Sequence, residues 1–254
     1  MTDDLDRVTA LALVNYGHYT SMRVDHHRVR GLSLHPERLV RDCRRIFDAD
    51  LDPDEVRHVI RRALADAAES VMVRVTVFDP GLELGRPGAD AQPQFLVTTR
   101  PAVRGPLPAL RLHSAQYCRE MPEVKHVGLF GSLRWRRVAQ RNGFDDVLFL
   151  NTEAIISEAA TSNIGFVDGD RIVWPQAECL PGVTMSLINQ ARDGQAGTAP
   201  ITLSDLAGVD AVFATNAAVG VRPISAIDGI QCANEHPALD ILREQYSDIH
   251  AEVL

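Results

Sequence analysis

One side chain in this sequence can do amine chemistry. Of its 26 lysine and arginine residues all but Lys125 are arginine. A GC-rich genome accounts for the bias, but not for the one lysine that survives it. An amine can attack a carbonyl and form a carbon–nitrogen double bond, whereas a guanidinium stays protonated and cannot. Lys125 stands in Pro122-Glu123-Val124-Lys125-His126-Val127-Gly128, read as the handover from a strand to a helix. A lysine must shed its proton to become a nucleophile, and apolar surroundings favour the neutral form. On this segment alone, a solvated lysine at the end of an element accounts for the pattern equally well.

Other site types are missing from the sequence. There is no HExxH, no phosphate-binding P-loop and no GxSxG elbow. The four cysteines, Cys43, Cys118, Cys179 and Cys232, are scattered without a CxxC pair, which fits reduced thiols in a cytoplasmic protein. His26-His27 has no spaced carboxylate partner, so no metal site is expected there. A net charge of -8 argues against a protein that binds nucleic acid by neutralising phosphates. No apolar run approaches the roughly 18 residues of a membrane span. The acidic start Thr2-Asp3-Asp4-Leu5-Asp6 is neither a secretory signal nor a basic transit peptide. The 254 residues, 45% hydrophobic, suffice for a core without disulfides or metals.

Strand and helix signals mix without strict alternation, which predicts an α+β fold. Strands are expected at 8–14, 18–24, 71–78 and 95–99, and helices at 36–47 and from Pro53, with Asp52 as its cap. The proline-rich stretch from Pro101 to Leu110 reads as a boundary. This divides the chain into a small α/β subdomain (1–104), a linker (105–112) and a larger subdomain (113–254) carrying Lys125. In the latter, helices are expected at 129–142 (ending at Gly143), after Pro181-Gly182, after a Ser204 cap and at 237–246. Strands are expected at 147–150, 155–157, 163–167, 171–174, 209–215 and 221–227, with Asp168-Gly169-Asp170 as a hairpin turn.

Five further segments follow in order around Lys125. They are Gly17-His18-Tyr19-Thr20-Ser21-Met22-Arg23-Val24, His35-Pro36-Glu37-Arg38-Leu39, Glu158-Ala159-Ala160-Thr161-Ser162-Asn163-Ile164, Leu180-Pro181-Gly182-Val183-Thr184 and Thr215-Asn216-Ala217. Their order and spacing, over about residues 15–230, resemble the fold-type IV (class IV) pyridoxal-phosphate enzymes. These include branched-chain and D-amino-acid aminotransferases and aminodeoxychorismate lyase. The resemblance implies the two-subdomain fold of the D-amino-acid aminotransferases and a homodimer in which a loop of the second subunit completes the substrate wall.

It also implies roles. Lys125 would hold pyridoxal 5'-phosphate through a Schiff base and shuttle a proton once freed. Glu158 would face the pyridine nitrogen and keep it protonated. Arg38, a planar fork, would meet the phosphate, together with the backbone of Val183 and Thr184 at a helix start and the loop Thr215-Asn216-Ala217. Tyr19, Ser21, Arg23 and Arg100 would line the substrate side. Taken without the resemblance, Glu158 reads as an exposed strand-end carboxylate, while Arg38 reads equally as a phosphate ligand or a solvated helix cation.

The sequence also departs from the branched-chain pattern. Phe130 replaces a tyrosine five residues after the lysine, and Ala159-Ala160 stands for Gly-Ser. Met185 stands where arginine is frequent, and Ala217 lacks a hydroxyl. The expected activity is transfer of an amino group from an amino acid or amine to a 2-oxo acid. The alternatives are a lyase of the aminodeoxychorismate type that releases pyruvate, and a cofactor-binding protein without turnover. A plain interaction domain without cofactor is the remaining rival.

Overall fold

The computed structural model describes residues 2–65, 69–193 and 196–254. The chain forms two compact units. One comprises Met1–Val103, Val124–Leu129 and His250–Leu254, the other Arg104–Glu123 and Phe130–Ile249.

The first unit begins with helix α1 (Thr2–Val14), followed by strands β1 (His18–Asp25) and β2 (Arg28–Arg30). Helices α2 (Leu34–Phe47) and α3 (Pro53–Ala63) and strands β3 (Ser70–Phe78) and β4 (Gln94–Pro101) follow. A C-terminal strand, β14 (Ala251–Val253), completes an antiparallel sheet in the order β14-β2-β1-β3-β4. Alternation on β1 and β3 sorts the side chains between the faces. Met22, Val24, Val73, Val75 and Val77 turn to a core shared with Leu39 and Cys43 of α2 and Val56 and Ile60 of α3. Asp52 caps α3 by accepting from the Asp54 amide at 2.9 Å, with Pro53 at the first helical position.

Two expectations fail in this unit. Residues 8–14, read as a strand, belong to α1. A short apolar run does not separate strand from helix by period, and Ala and Leu are strong helix formers. The Lys125 segment, assigned by sequence to the larger subdomain, belongs to the first unit. It is a loop with one isolated β-bridge, His18 to His126, rather than the end of a strand. Main-chain bonds from Tyr19 N to Lys125 O and from Val127 N to Gly17 O, both 2.9 Å, fasten it to the start of β1.

The second unit runs through β5 (Leu110–Gln116), α4 (Phe130–Arg141), β6 (Asp146–Leu150), β7 (Ile156–Ala159), β8 (Ser162–Asp168) and β9 (Arg171–Pro175). Then come α5 (Val183–Ala191), β10 (Ala196–Ala199), β11 (Ala211–Asn216), β12 (Gly220–Ile227), β13 (Ile230–Gln231) and α6 (Pro237–Asp248). The strand order is β10-β9-β8-β11-β12-β5-β6-β7, and β7 pairs back onto β8. Six strands therefore close into a ring, whose core includes Leu112, Leu148, Ile156, Ile164, Phe166, Val212 and Ile224. The pairs β12–β5, β5–β6 and β9–β10 are parallel. The stretch read as a linker at 105–112 ends inside β5, because Leu110 and Leu112 are core residues of the ring. The helical turn Leu203–Gly208 is a 3-10 turn capped by Thr202, not Ser204, through a reciprocal box with Asp205.

Gly165 on β8 lies opposite Phe213 on β11. A Cβ there would stand 2.4 Å from Phe213 Cζ and 2.8 Å from Trp174 Cζ3. Both rings are fully buried and pack edge-to-face at 5.5 Å, so neither can yield cheaply. Gly165→Ala is therefore expected to destabilise the fold by about 1–3 kcal/mol. A thermal melt several degrees below wild type checks this; an unchanged midpoint would contradict it.

Candidate active site

In the first unit, Lys125 is fixed through its main chain. Besides its carbonyl bond to Tyr19, its amide donates to Asp42 Oδ2 at 3.1 Å. Asp42 is fully buried on α2, and its other oxygen accepts from Arg41 Nε (2.9 Å) and Nη2 (2.6 Å). The Lys125 Nζ lies 4.8 Å from the centre of the Tyr19 ring, and the Arg74 guanidinium stands 3.6 Å from the same ring. Both contacts fall within the range of cation–π attraction. Arg38, one turn before Asp42 on α2, is 6% exposed. Burial draws its pKa down to about 10, against the opposing pull of Asp42, so it is cationic at neutral pH.

Register places Tyr19, Ser21 and Arg23 on one face of the sheet with Thr76, Arg74 and Met72 opposite them on β3. Across β3, Leu96, Thr98 and Arg100 on β4 continue that face. Of the expected substrate-side residues, Arg23 is already engaged, by Asp25 at 2.8 Å and the Val103 carbonyl at 2.7 Å. Arg100 is exposed on the edge strand. Arg74 was missed by sequence reading. Its signal is a single charge inside the apolar run from Val71 to Phe78.

The other face of β1 carries two buried imidazole contacts. His35 Nδ1 lies 2.7 Å from Thr20 Oγ1, and His18 is fully buried with neither ring nitrogen hydrogen-bonded. Burial holds both imidazoles down to about 3, helped by Arg41 at His18 and by Arg38 and Lys125 at His35. Both are thus neutral in the fold, while the unfolded chain titrates them near their ordinary value of about 6.5.

The second unit carries the remaining candidates. Glu158 on β7 is 6% exposed, not a solvated strand end. Its Oε1 accepts from Arg119 Nε at 2.7 Å and its Oε2 from the Leu180 amide at 3.3 Å. Arg119 also donates to the Pro122 carbonyl. Cys179 beside them has its thiol pushed up to about 11, by burial first and by Glu158 second. The loop then enters α5 through Gly182, which offers no side-chain cap. The bond from Ser186 N to Gly182 O, at 2.9 Å, spans this first turn. The amides of Val183, Thr184 and Met185 precede it, the positions where a helix start attracts anions.

Thr184 Oγ1, on that turn, and Thr215 Oγ1, at the end of β11, are buried without a hydrogen-bond partner. Asn216 is used locally: its side chain donates to Ser162 Oγ at 2.9 Å and accepts from the Ala218 and Val219 amides, shaping the turn that contains Ala217. Phe130, at the start of α4, is 80% exposed. Arg119 and Asn163 were not singled out individually by sequence, and their roles come from contacts 39 and 17 residues away. Among the described residues, no group of three or more His, Cys, Asp or Glu side chains could hold a metal ion. No helix among them is long and apolar enough to cross a membrane.

The buried histidines give this region a pH dependence. The unfolded chain binds more protons than the fold between about pH 3 and 6.5, so stability is full above that window and falls as pH drops through it. Each histidine contributes at most about 1.4 kcal/mol per pH unit. Urea midpoints should therefore fall steeply between pH 6 and 4, and His18→Leu should flatten the slope. Equal slopes in the two proteins would contradict the burial of a neutral His18.

Comparison with known proteins gives the family. Residues 17–227 match the family described as amino-transferase class IV. A "probable branched-chain-amino-acid aminotransferase" of Rickettsia bellii is 31% identical over 121 residues, 45% of this chain and 42% of that protein. The D-alanine aminotransferase of Listeria monocytogenes is 28% identical over 119 residues, 44% and 40% of the two chains. These matches thus span less than half the length of those curated relatives. Among solved structures, one named a 4-amino-4-deoxychorismate lyase, from Legionella pneumophila, superposes with TM-score 0.81 at 22% identity, covering 94% of this chain and 93% of that one. The Escherichia coli branched-chain amino acid aminotransferase gives TM-score 0.81 at 20% identity, covering 92% and 85%. The T.th. branched-chain amino acid aminotransferase, solved in complex with N-(5'-phosphopyridoxyl)-L-glutamate, gives 0.83 at 20%, covering 92% and 84%. At such identities the structures establish the fold, and the family match over residues 17–227 establishes the rest: the chain belongs to the class IV amino-transferases.

Proposed function

We propose that this protein is a pyridoxal-phosphate aminotransferase that moves an amino group from an amino acid or amine to a 2-oxo acid. The observation that carries the reading is Lys125, the only primary-amine side chain present, with its main chain held by Tyr19 and Asp42. Class IV aminotransferases use pyridoxal phosphate, and the residues present fit it. The uncapped start of α5 and the two orphaned hydroxyls of Thr184 and Thr215 suit a phosphate, which accepts hydrogen bonds on every oxygen. Arg38 supplies a buried cation in the first unit.

When bound, pyridoxal phosphate would supply an aldehyde that reacts with amines and a ring that accepts electrons. Lys125 would hold the group through its Nζ and, once freed, would serve as the general base. Glu158, fixed by Arg119 and the Leu180 amide, would supply the carboxylate that keeps the pyridine nitrogen protonated. Tyr19, Ser21 and Arg74 form a polar, cationic sheet face suited to a substrate carboxylate. The working form, on the resemblance alone, is a cytoplasmic homodimer.

A second reading, a lyase that eliminates pyruvate, is supported by the Lys125-His126 pair, the Gly17 to Val24 hairpin and Asn216-Ala217, which resemble that enzyme's pattern. Two experiments test these readings. Amino acids or amines should convert the bound cofactor to its pyridoxamine form, and 2-oxo acids should reverse the change. Lys125→Ala should lower that rate by at least about 100-fold. Conversion without loss in the variant would overturn the reading. Pyruvate release from aminodeoxychorismate without any 2-oxo acid would favour the lyase instead.

The hydroxyls give a separate expectation. Thr184→Val and Thr215→Val each remove a buried group that forms no hydrogen bond, a group that costs about 1–3 kcal/mol when unsatisfied. Each variant should melt no lower than wild type without cofactor and bind pyridoxal phosphate more weakly. Lower melting with unchanged binding would contradict a phosphate role.

A further inference from the structure

We propose that Asn163 is a positioning residue that holds the start of α5 in its phosphate-receiving shape; the proposal rests on the cofactor reading above. Asn163 occupies the middle of a cross-strand row. It pairs with Glu158 on β7 to one side and with Thr215 on β11 to the other. Directly opposed residues share a face of the sheet, so the three side chains project together. Asn163 is 6% exposed. Its Nδ2 donates to the Leu180 carbonyl at 2.7 Å and lies 3.8 Å from Cys179 Sγ. Only the amide nitrogen can face a carbonyl, so the orientation follows from chemistry.

Leu180 is therefore gripped at both ends of its backbone. Its N–H donates to Glu158 Oε2, and its C=O accepts from Asn163 Nδ2. Two residues on, Gly182 is the N-cap of α5. A Cβ at Gly182 would stand 1.9 Å from Asn163 Oδ1, and the next atoms are 3.1 Å away or more. The Asn163 amide is thus packed against the backbone at the point where the helix begins. The same carboxylate that the family directs at the pyridine nitrogen is tied, through Leu180 and Asn163, to the amides that would meet the phosphate. Asn163 would touch neither the cofactor nor the substrate. It sets where Val183 and Thr184 present their N–H groups.

The test compares pyridoxal phosphate with pyridoxal, which lacks the phosphate, on the full chain. Asn163→Ala should weaken pyridoxal phosphate about tenfold, the worth of one buried hydrogen bond, and leave pyridoxal within about twofold. A general structural defect would weaken both ligands alike, and that result would overturn the proposal, as would unchanged affinity for both. Gly182→Ala should show the same selective loss. The double variant Asn163→Ala/Gly182→Ala should be no weaker than Gly182→Ala, because the clashing amide is gone; additive losses would overturn the packed contact. Amide hydrogen exchange without cofactor gives an independent readout. Asn163→Ala should speed exchange at Leu180, Val183 and Thr184, and unchanged rates there would overturn the proposal. Wild-type protein that bound neither ligand would instead end the cofactor reading, and the exchange rates would then decide Asn163 by themselves.

Discussion

Two register pairs, Glu158 with Asn163 and Ala159 with Ser162, close the six-strand ring of the second unit. Its half of the candidate site depends on that closure. Without it, Glu158 would be the strand-end carboxylate that the sequence alone suggests. With it, the side chain is buried, meets Arg119, and reaches the Leu180 amide in the loop before α5. A carboxylate taken out of water needs partners on its oxygens, and here one partner is a main-chain group. The acid therefore shapes the backbone of the loop as well as the electrostatics around it.

Both units leave polar groups unsatisfied in their interiors. Among the described residues they include the Thr184 and Thr215 hydroxyls in the second unit and the two ring nitrogens of His18 in the first. A fold selected only for stability would replace such groups with apolar ones of similar shape. Thr184 sits among helix amides that no side chain caps, and β11, which carries Thr215, packs against that helix. An anion at that helix start would accept from the Thr184 hydroxyl. His18 instead lies beside the Phe47 ring, with 6.1 Å between ring centroids. Its burial makes the first unit sensitive to acid through a neutral imidazole rather than through a lost ion pair.

Local chemistry was legible in the sequence where local rules decide structure. Asp52-Pro53 announced α3, Asp168-Gly169-Asp170 announced the β8–β9 hairpin, and Pro181-Gly182 announced α5. Residues 8–14 were not, because a short apolar run of alanine and leucine suits either period. Lys125 stood out as the only residue of its kind, yet its placement with β1 came from main-chain bonds to residues more than 100 positions earlier. Arg74, Arg119 and Asn163 gain their meaning from register and from long-range partners. No local spacing encodes such pairs. The family resemblance supplied the motif order, and the structure supplied the contacts that connect one motif to the next.

On the reading proposed above, this chain's one lysine carries the cofactor. Borohydride reduction of the protein after incubation with pyridoxal phosphate, followed by peptide mapping, tests it most directly. A stable pyridoxyl group is expected on the peptide containing Lys125 and on no other. A label on another peptide, or none at all, would contradict it.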